Sequence, residues 1–378
     1  QAGIYAEVYE AASSATATGG ALSVAPNGMR VLAAAGVEER LRSVSVTTGT
    51  AYFENQSGKV LATAKNHDAE RYGHAGIMIT RPALHQTLVE FAEAEGIDVH
   101  FNKRLINVED RPGQPVIATF ADGSTATGDC LVGADGIRSQ VRQSVMPESP
   151  KPAYTGMMAP GGISPCLDAN VSVRSVQPVH FIFGQKGFFG YFNAMTEDGP
   201  RTLWWSTYAA PLEDREAIQS ISKTDLLERL LRLHDGWASP IPELIASAEG
   251  VFNLPIHDMQ GLSSWTAGRV LLIGDAAHAV APHSGQGASM ALEDAQMLAR
   301  LMRDRHGMPF EEIGQAFETI RRPRADKVIA LGRRNGQRKE MQSPGAYWIM
   351  QQMVRIFVPL TFARSQEWLL SYRVEDAV

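Results

Sequence analysis

Three short apolar runs in this 378-residue chain end on a carboxylate. Tyr5 to Tyr9 runs into Glu10, Leu131-Val132-Gly133-Ala134 into Asp135-Gly136, and Val270-Leu271-Leu272-Ile273-Gly274 into Asp275. Open α/β sheets bind ligands at the carboxyl ends of their strands, where a carboxylate can accept hydrogen bonds from ligand hydroxyls. In a dinucleotide-binding βαβ unit, an acidic residue closes the second strand about 20 residues after a glycine-rich turn and takes the ribose hydroxyls. Glu10 fits that place. The reading expects a first strand, a G-x-G-x-x-G turn and most of a first helix ahead of Gln1, with Gln1 to Ile4 as that helix's end. After Asp275 the chain continues through Pro282-His283-Ser284-Gly285-Gln286-Gly287 into a helical run marked by Ala288, Met290, Ala291, Leu292, Ala295, Leu298 and Ala299. Pro282 stiffens the loop. Gly285 and Gly287 leave backbone N–H groups bare where the helix begins, and a bare helix N-terminus attracts anionic or electron-rich groups. His283 sits inside that loop and could serve as a general base toward a phenol or enol; packing or a backbone hydrogen bond is the alternative.

The elements that must position these groups are legible in part. Thr80-Arg81-Pro82 opens a helix with Leu84, Leu88 and Phe91 on one stripe: Thr80 caps, Pro82 suits the first turn, and Arg81 lies where its fork can grip phosphate or ribose oxygens. Gly19-Gly20-Ala21-Leu22-Ser23-Val24 leads through Pro26-Asn27-Gly28 into a helix with Met29, Val31, Leu32 and Ala35 on its apolar face. Thr47 to Ala64 reads as antiparallel strands around Asn55-Gln56-Ser57-Gly58, and 116–130 as a hairpin around Asp122-Gly123. From Lys151 to Ile256 aromatic and β-branched residues alternate, as in the antiparallel strands of a second lobe with an apolar pocket on one face. Strand phase and spacing nominate His180, Phe192 and Trp204 as substrate contacts.

Gly274-Asp275, the Pro282 loop, Gly285-x-Gly287 and the helix after them resemble the second flavin-binding motif of the FAD-dependent aromatic hydroxylases, the single-component flavoprotein monooxygenases. Leu131 to Ser139 resembles that family's D-G motif, and Arg81-x-x-Leu84-x-x-x-Leu88 its arginine-bearing helix. The resemblance implies an α/β fold of two lobes: a Rossmann-like FAD-binding domain (1–150 and 257–335), an inserted antiparallel β-sheet substrate domain (151–256) and C-terminal helices (336–378), with the first βα unit missing from the chain. It implies that Asp275 binds a ribitol hydroxyl and that Pro282, Gly285, Gln286 and Gly287 face the isoalloxazine. It also implies that Arg81 lies against FAD, that Asp135 and Gly136 meet the pyrophosphate region, and that the Gly20 segment passes the flavin and borders the substrate cavity. The implied activity is hydroxylation of an aromatic or enolic small molecule by O2 through a C4a-hydroperoxyflavin, with NADPH or NADH reducing FAD. Two rivals stand beside it: an antibiotic-inactivating monooxygenase of the tetracycline-degrading type, acting on a polycyclic substrate, and a non-catalytic flavin-binding protein.

Composition narrows the partners. A net charge of −6 argues against general nucleic-acid binding. Two cysteines, Cys130 and Cys166, suit a reducing, cytoplasmic setting without a disulfide framework. No apolar run is long enough for stable membrane insertion. Arg321-Arg322-Pro323-Arg324 reads first as packing and surface charge, and second as a contact to a nicotinamide-nucleotide phosphate. Ala346 to Phe362 carries Trp348, Ile349, Met353, Ile356, Phe357 and Leu360, interrupted by Gln351, Gln352 and Arg355. That segment could pack across both lobes, pair with a second subunit or lie on a membrane surface, so the chain is expected to be a monomer or a homodimer.

Overall fold

The fold was derived from a computed structural model, which describes residues 3–15, 20–168, 170–212, 218, 220–259, 261–337 and 343–377. Gln1, Ala2 and Gly19 of the expected amino-terminal elements lie outside the described residues. Strand β1 (Glu7–Tyr9) comes first, and β2 (Ala21–Val24) then leads into α1 (Pro26–Ala35). Pro26 opens α1 and Gly36, at φ 87°, closes it. Next come α2 (Glu38–Arg42), the hairpin of β3 (Val46–Asn55) and β4 (Val60–Lys65), and α3 (Ala69–Tyr72). β5 (Ile77–Thr80) passes directly into α4 (Arg81–Ala94), where the Thr80 hydroxyl caps by accepting from the Ala83 N–H. β6 (Asp98–His100) is followed by a small antiparallel sheet of β7 (Leu105–Glu109), β8 (Val116–Phe120) and β9 (Thr125–Gly128). β10 (Leu131–Gly133) and α5 (Gln140–Val145) end this part.

The middle of the chain holds β11 (Ala153–Pro165), β12 (Val176–Phe183), β13 (Phe188–Thr196) and β14 (Gly199–Ala209). Helices α6 (Lys223–Leu233) and α7 (Ile241–Ala246) and strand β15 (Gly250–Asp258) follow. The last part comprises β16 (Thr266–Ala267), β17 (Val270–Leu272), α8 (Asp275–His278), a 3-10 turn over Pro282–Ser284, and three long helices: α9 (Gly287–Asp304), α10 (Phe310–Gln337) and α11 (Pro344–Leu370).

Two parallel pairings build the nucleotide side. β1 runs beside β6 with Glu7 opposite Asp98, and β10 beside β17 with Leu131 opposite Val270. β17 is fully buried and packs with Trp265, Met290, Met297 and Phe317 in the largest apolar core. A parallel strand covered on both faces reads as a continuous apolar run, which is how Val270 to Leu272 reads.

The second layer is a nine-stranded sheet in the order β15-β11-β14-β13-β12-β3-β5-β2, with β4 paired to β3. All its pairings are antiparallel except β3 with β12. The sheet thus draws strands from 21–80 as well as from 153–258. Its side chains alternate, as the period of a strand requires. Met158, Ile182, Phe189 and Trp204 face α6 and α7, whereas Val179, Phe192 and Leu203 face the other way. On that other face α11 lies along β4 with Val354, Val358 and Phe362 inward, and its end, Leu369 and Leu370, enters the core around β17.

Candidate active site

The loop from Gly274 to Gly287 joins β17 to α9, and most of the other motifs meet it. Gly274 has φ 56° and ψ −140°, a conformation that essentially only glycine adopts, so the chain turns at once after the strand. The turn sets Asp275 at the start of α8. The Asp275 side chain is open to solvent yet ringed by protein, as on the floor of a cleft. Burial raises its carboxyl above the usual range; His278 and Arg81 oppose that shift and Asp294 adds to it. The charge of Arg81 therefore reaches Asp275 across the cleft. Arg81 begins α4 and is exposed; its N–H bonds the Gly20 carbonyl at 3.0 Å, and its guanidinium has no hydrogen-bond partner among the described residues.

Beyond α8 the chain passes Pro282 and reaches Gly285, at φ 63°, before α9 begins at Gly287. The 18-residue α9 has no side-chain cap at Gln286, which leaves the N–H groups of its first turn without a capping side chain, whereas the Gly285 N–H, also expected to be bare, donates to the Pro282 carbonyl at 3.0 Å. Gln286 is buried, and its Oε1 accepts from Asn27 Nδ2 at 3.0 Å. The Asn27 amide also donates to Glu293 Oε1 at 2.7 Å. Its own Oδ1 is buried without a partner among the described residues, an acceptor left beside the helix start.

Behind this surface lies a buried ionic network that the sequence reading did not assemble. Asp294 Oδ2 accepts from the Gly274 N–H at 2.8 Å and from His278 Nε2 at 2.6 Å, and its Oδ1 from Arg321 Nε at 2.7 Å. Glu293 takes Arg321 at 2.8 Å and both Nε and Nη2 of Arg324 at 2.8 and 2.7 Å. Arg321 and Arg324 are therefore packing charges, the first of the two readings given to that basic stretch. Arg142 makes a further bridge: its Nη1 donates to the Ala276 carbonyl and its Nη2 to the Ile137 carbonyl, at 2.5 and 2.7 Å. It ties the Asp135–Gly136 turn to α8. Asp135 itself accepts from the N–H groups of Gln140 and Val141, at 2.6 and 2.9 Å, and so caps α5, while Gly136 sits at φ 80°. Glu10 lies apart on the β1–β6 pair, where one carboxylate oxygen accepts from the Ala12 N–H at 2.7 Å. His85, beside Arg81 on α4, bonds the Ala15 carbonyl at 2.8 Å.

The face of the nine-stranded sheet that meets the loop is fixed by Ala281, which packs with Met157 of β11 and Ile256 of β15. Further along β11 the same face carries Ala159 and Ile163, the latter packed with Phe192 and Leu203. Phe192 thus looks toward the loop side. His180 and Trp204, nominated with it as substrate contacts, lie on the opposite face. Trp204 faces α7, donating through Nε1 to Ser164 Oγ at 2.9 Å, and Ser164 in turn donates to the Leu244 carbonyl. His180 shares that opposite face, stacked between Tyr52 and Tyr191 with Nδ1 2.6 Å from Glu54 Oε1. Phe252, not singled out from sequence, lies on the loop side of the sheet. Phe252 lies opposite Gly161, and a Cβ built on Gly161 would come within 2.3 Å of its ring. A Cβ on Gly20 would approach the same ring to 3.0 Å. Phe252 therefore reaches from β15, at one edge of the sheet, to the start of β2 at the other, across a concave face. His283 is turned to α10: its ring borders Gly336, beside Met157, and its carbonyl accepts from Asn335 Nδ2 at 3.2 Å.

These residues fit FAD. A cleft carboxylate for hydroxyls, a free guanidinium for phosphate, a buried acceptor and a bare helix start are the donors and acceptors that such a molecule needs. Comparisons with known proteins agree. The model of the FAD binding domain family matches residues 1–331. The chain is 30% identical over 349 residues to 6-hydroxynicotinate 3-monooxygenase of Pseudomonas fluorescens, covering 91% of this chain and 88% of that protein. It is 30% identical over 337 residues to 3-amino-4-hydroxybenzoate 2-monooxygenase of Streptomyces cremeus, covering 88% and 81%. Among solved structures, Klebsiella pneumoniae HpxO complexed with FAD and uric acid is similar with a TM-score of 0.81 at 24% identity, covering 94% of this chain and 87% of that one. With most of its length matched, the chain belongs to the family of FAD-dependent aromatic hydroxylases, the single-component flavoprotein monooxygenases.

Proposed function

We propose that this monooxygenase hydroxylates a compact, electron-rich hydroxylated benzene or nitrogen-heteroaromatic ring, bound between the Pro282 loop and the concave face of the sheet. The observation that carries the reading is the bare start of α9 beside an apolar, aromatic-lined sheet face. Bound FAD supplies hydride acceptance from NADPH or NADH and activation of O2. The chain's own residues do the rest. Asp275 accepts a ribitol hydroxyl, Arg81 grips phosphate oxygens, and the Asp135–Gly136 turn, held by Arg142, shapes the pyrophosphate end. Glu10 takes ribose hydroxyls from its strand end. The N–H groups of the first turn of α9, from Gly287 on, would offset negative charge on the bound flavin. Phe192, Leu203 and Phe252 exclude water and hold the flat substrate. Phe252 spans the concavity, which favours one or two fused rings over a polycycle. For His283 the packing on α10 favours a structural role in holding the loop over that of a base. Two free cysteines are consistent with a reducing compartment such as the cytoplasm.

The test is an absorbance spectrum of the FAD-loaded protein, followed by NADPH or NADH oxidation in air with hydroxypyridines, hydroxybenzoates and tetracycline. The expected result is a yellow protein whose NAD(P)H oxidation one small aromatic accelerates, with hydroxylated product. Acceleration by tetracycline alone would replace the proposed substrate class, and a protein that cannot hold FAD would end the proposal.

A further inference from the structure

α11 carries large apolar side chains on its outer side as well as its inner side, interrupted by Gln351, Gln352 and Arg355, yet the outer ones are uncovered. Its inner residues Val354, Val358 and Phe362 pack against the sheet. On its outer side Trp348, Ile349, Met353, Ile356, Phe357 and Leu360 are between 50% and 70% exposed. A helix that is hydrophobic all round is ordinarily buried all round. Six large side chains at that exposure present on the order of 650 Å² of mostly apolar surface, close to the roughly 800 Å² per partner that a stable interface buries with its polar rim included.

The pattern on this face also says what covers it. Ile349, Met353, Ile356 and Leu360 are spaced four, three and four residues apart, so the stripe reads the same from either end. Two such stripes packed antiparallel about a two-fold axis set Met353 against Ile356 of the partner subunit, and Ile349 against Leu360 of the partner subunit. From Pro344 to Ala363 the one residue that carries a charge at neutral pH is Arg355, which is turned aside and donates to Gln352 Oε1 at 3.2 Å. A helix that docks on anionic lipid carries Lys and Arg along its polar flanks. This one does not, and the chain's net charge is −6.

We propose that α11 is a self-association surface through which two copies of this chain pair with their α11 helices antiparallel. The test is sedimentation velocity of the FAD-loaded protein over a wide concentration range, alongside Met353→Glu, Ile356→Lys and, as an off-stripe control, Val176→Glu, whose side chain is 67% exposed on β12. The wild type and Val176→Glu are expected to be dimers. Each α11 variant alone is expected to keep its flavin spectrum and to associate about a hundredfold more weakly, by analogy with the loss of a central apolar contact. Mixing the two variants restores dimers, because the Glu then meets the Lys. A wild type that stays monomeric, dimers that survive either α11 variant, or a mixture that does not pair would overturn the proposal. A monomer that floats with neutral or anionic phospholipid vesicles would overturn it in favour of a membrane surface.

Discussion

Asp294 serves two chain segments beyond its own helix with two oxygens. It fixes the Gly274 turn, orients His278 and receives Arg321, all out of contact with water. Burial alone would raise its carboxyl; His278 and Arg321 beside it, with the Gly274 N–H, outweigh that and hold it at about 2. A carboxyl held below its ordinary value of 3.8 contributes stability that is complete above that value and lost as pH falls through about 2. Acid titration followed by flavin fluorescence is therefore expected to show cofactor release in that window, and Asp294→Asn to flatten the dependence. The same substitution leaves Arg321 short of a partner and is expected to cost about 3–5 kcal/mol in thermal or denaturant unfolding. In front of the network, Asp275→Ala or Arg81→Ala removes one charge-assisted contact, worth roughly 1.5–3 kcal/mol. Each is expected to weaken FAD about 10- to 100-fold in a fluorescence titration with little change in folding, and unaltered affinity would remove that residue from the site. Asp275, Pro282 and Gly285 to Gly287 were legible because their chemistry lies in one continuous stretch. The network was not, because Asn27, Gly274, Glu293, Asp294, Arg321 and Arg324 come from distant segments. Its traces in the sequence were an acidic pair inside an otherwise apolar helical face and two arginines three residues apart on one helix.

At the scale of the element, the nominations of His180 and Trp204 rested on strand alternation. Alternation along a strand says which residues share a face but not which of the two faces meets the ligand, and a shift of one residue exchanges them. Trp204 and Trp205 differ by that one residue: Trp204 lies over Gly162 toward α7, and Trp205 over Gly190 on the loop side. The contact of Ala281 with Met157 and Ile256 fixes the orientation, and it joins segments far apart in sequence. The helices were easier, since caps and breakers such as Thr80, Pro26 and Gly36 act within a few residues. Two substitutions test this phase. Trp204→Phe loses the bond to Ser164 and is expected to lower stability by about 1–3 kcal/mol while leaving the KM for the aromatic substrate unchanged. Phe252→Ala opens the concavity and is expected to admit larger rings and to lower the ratio of hydroxylated product to NAD(P)H consumed. A raised KM in the first variant, or an unchanged substrate range in the second, would return the cavity to the other face.

At the scale of the whole molecule, the cleft is walled by elements from every part of the chain, so cofactor binding and folding are linked. FAD at a hundred times its dissociation constant is expected to raise the stability of the folded state by about 2.7 kcal/mol, read as an upward shift of the melting temperature that scales with FAD concentration. The two-layer α/β arrangement followed from the alternation of buried apolar runs, amphipathic helices and aromatic strands. The sharing of one sheet between 21–80 and 153–258 did not, because the pairing of β3 with β12 is a long-range contact that leaves no local mark on either strand.

That same pairing bears on how the chain is made. β3 and β12 lie on the order of a hundred residues apart, so at bacterial or eukaryotic synthesis rates of about 5–20 residues per second the first waits several seconds for the second. β10 waits longer for β17. During that interval the nascent chain carries apolar strands with open edges, a template for pairing with other chains. The nine-stranded sheet cannot close until the ribosome has passed β15, so yield in the cell is expected to depend on chaperone capacity and translation speed as well as on equilibrium stability.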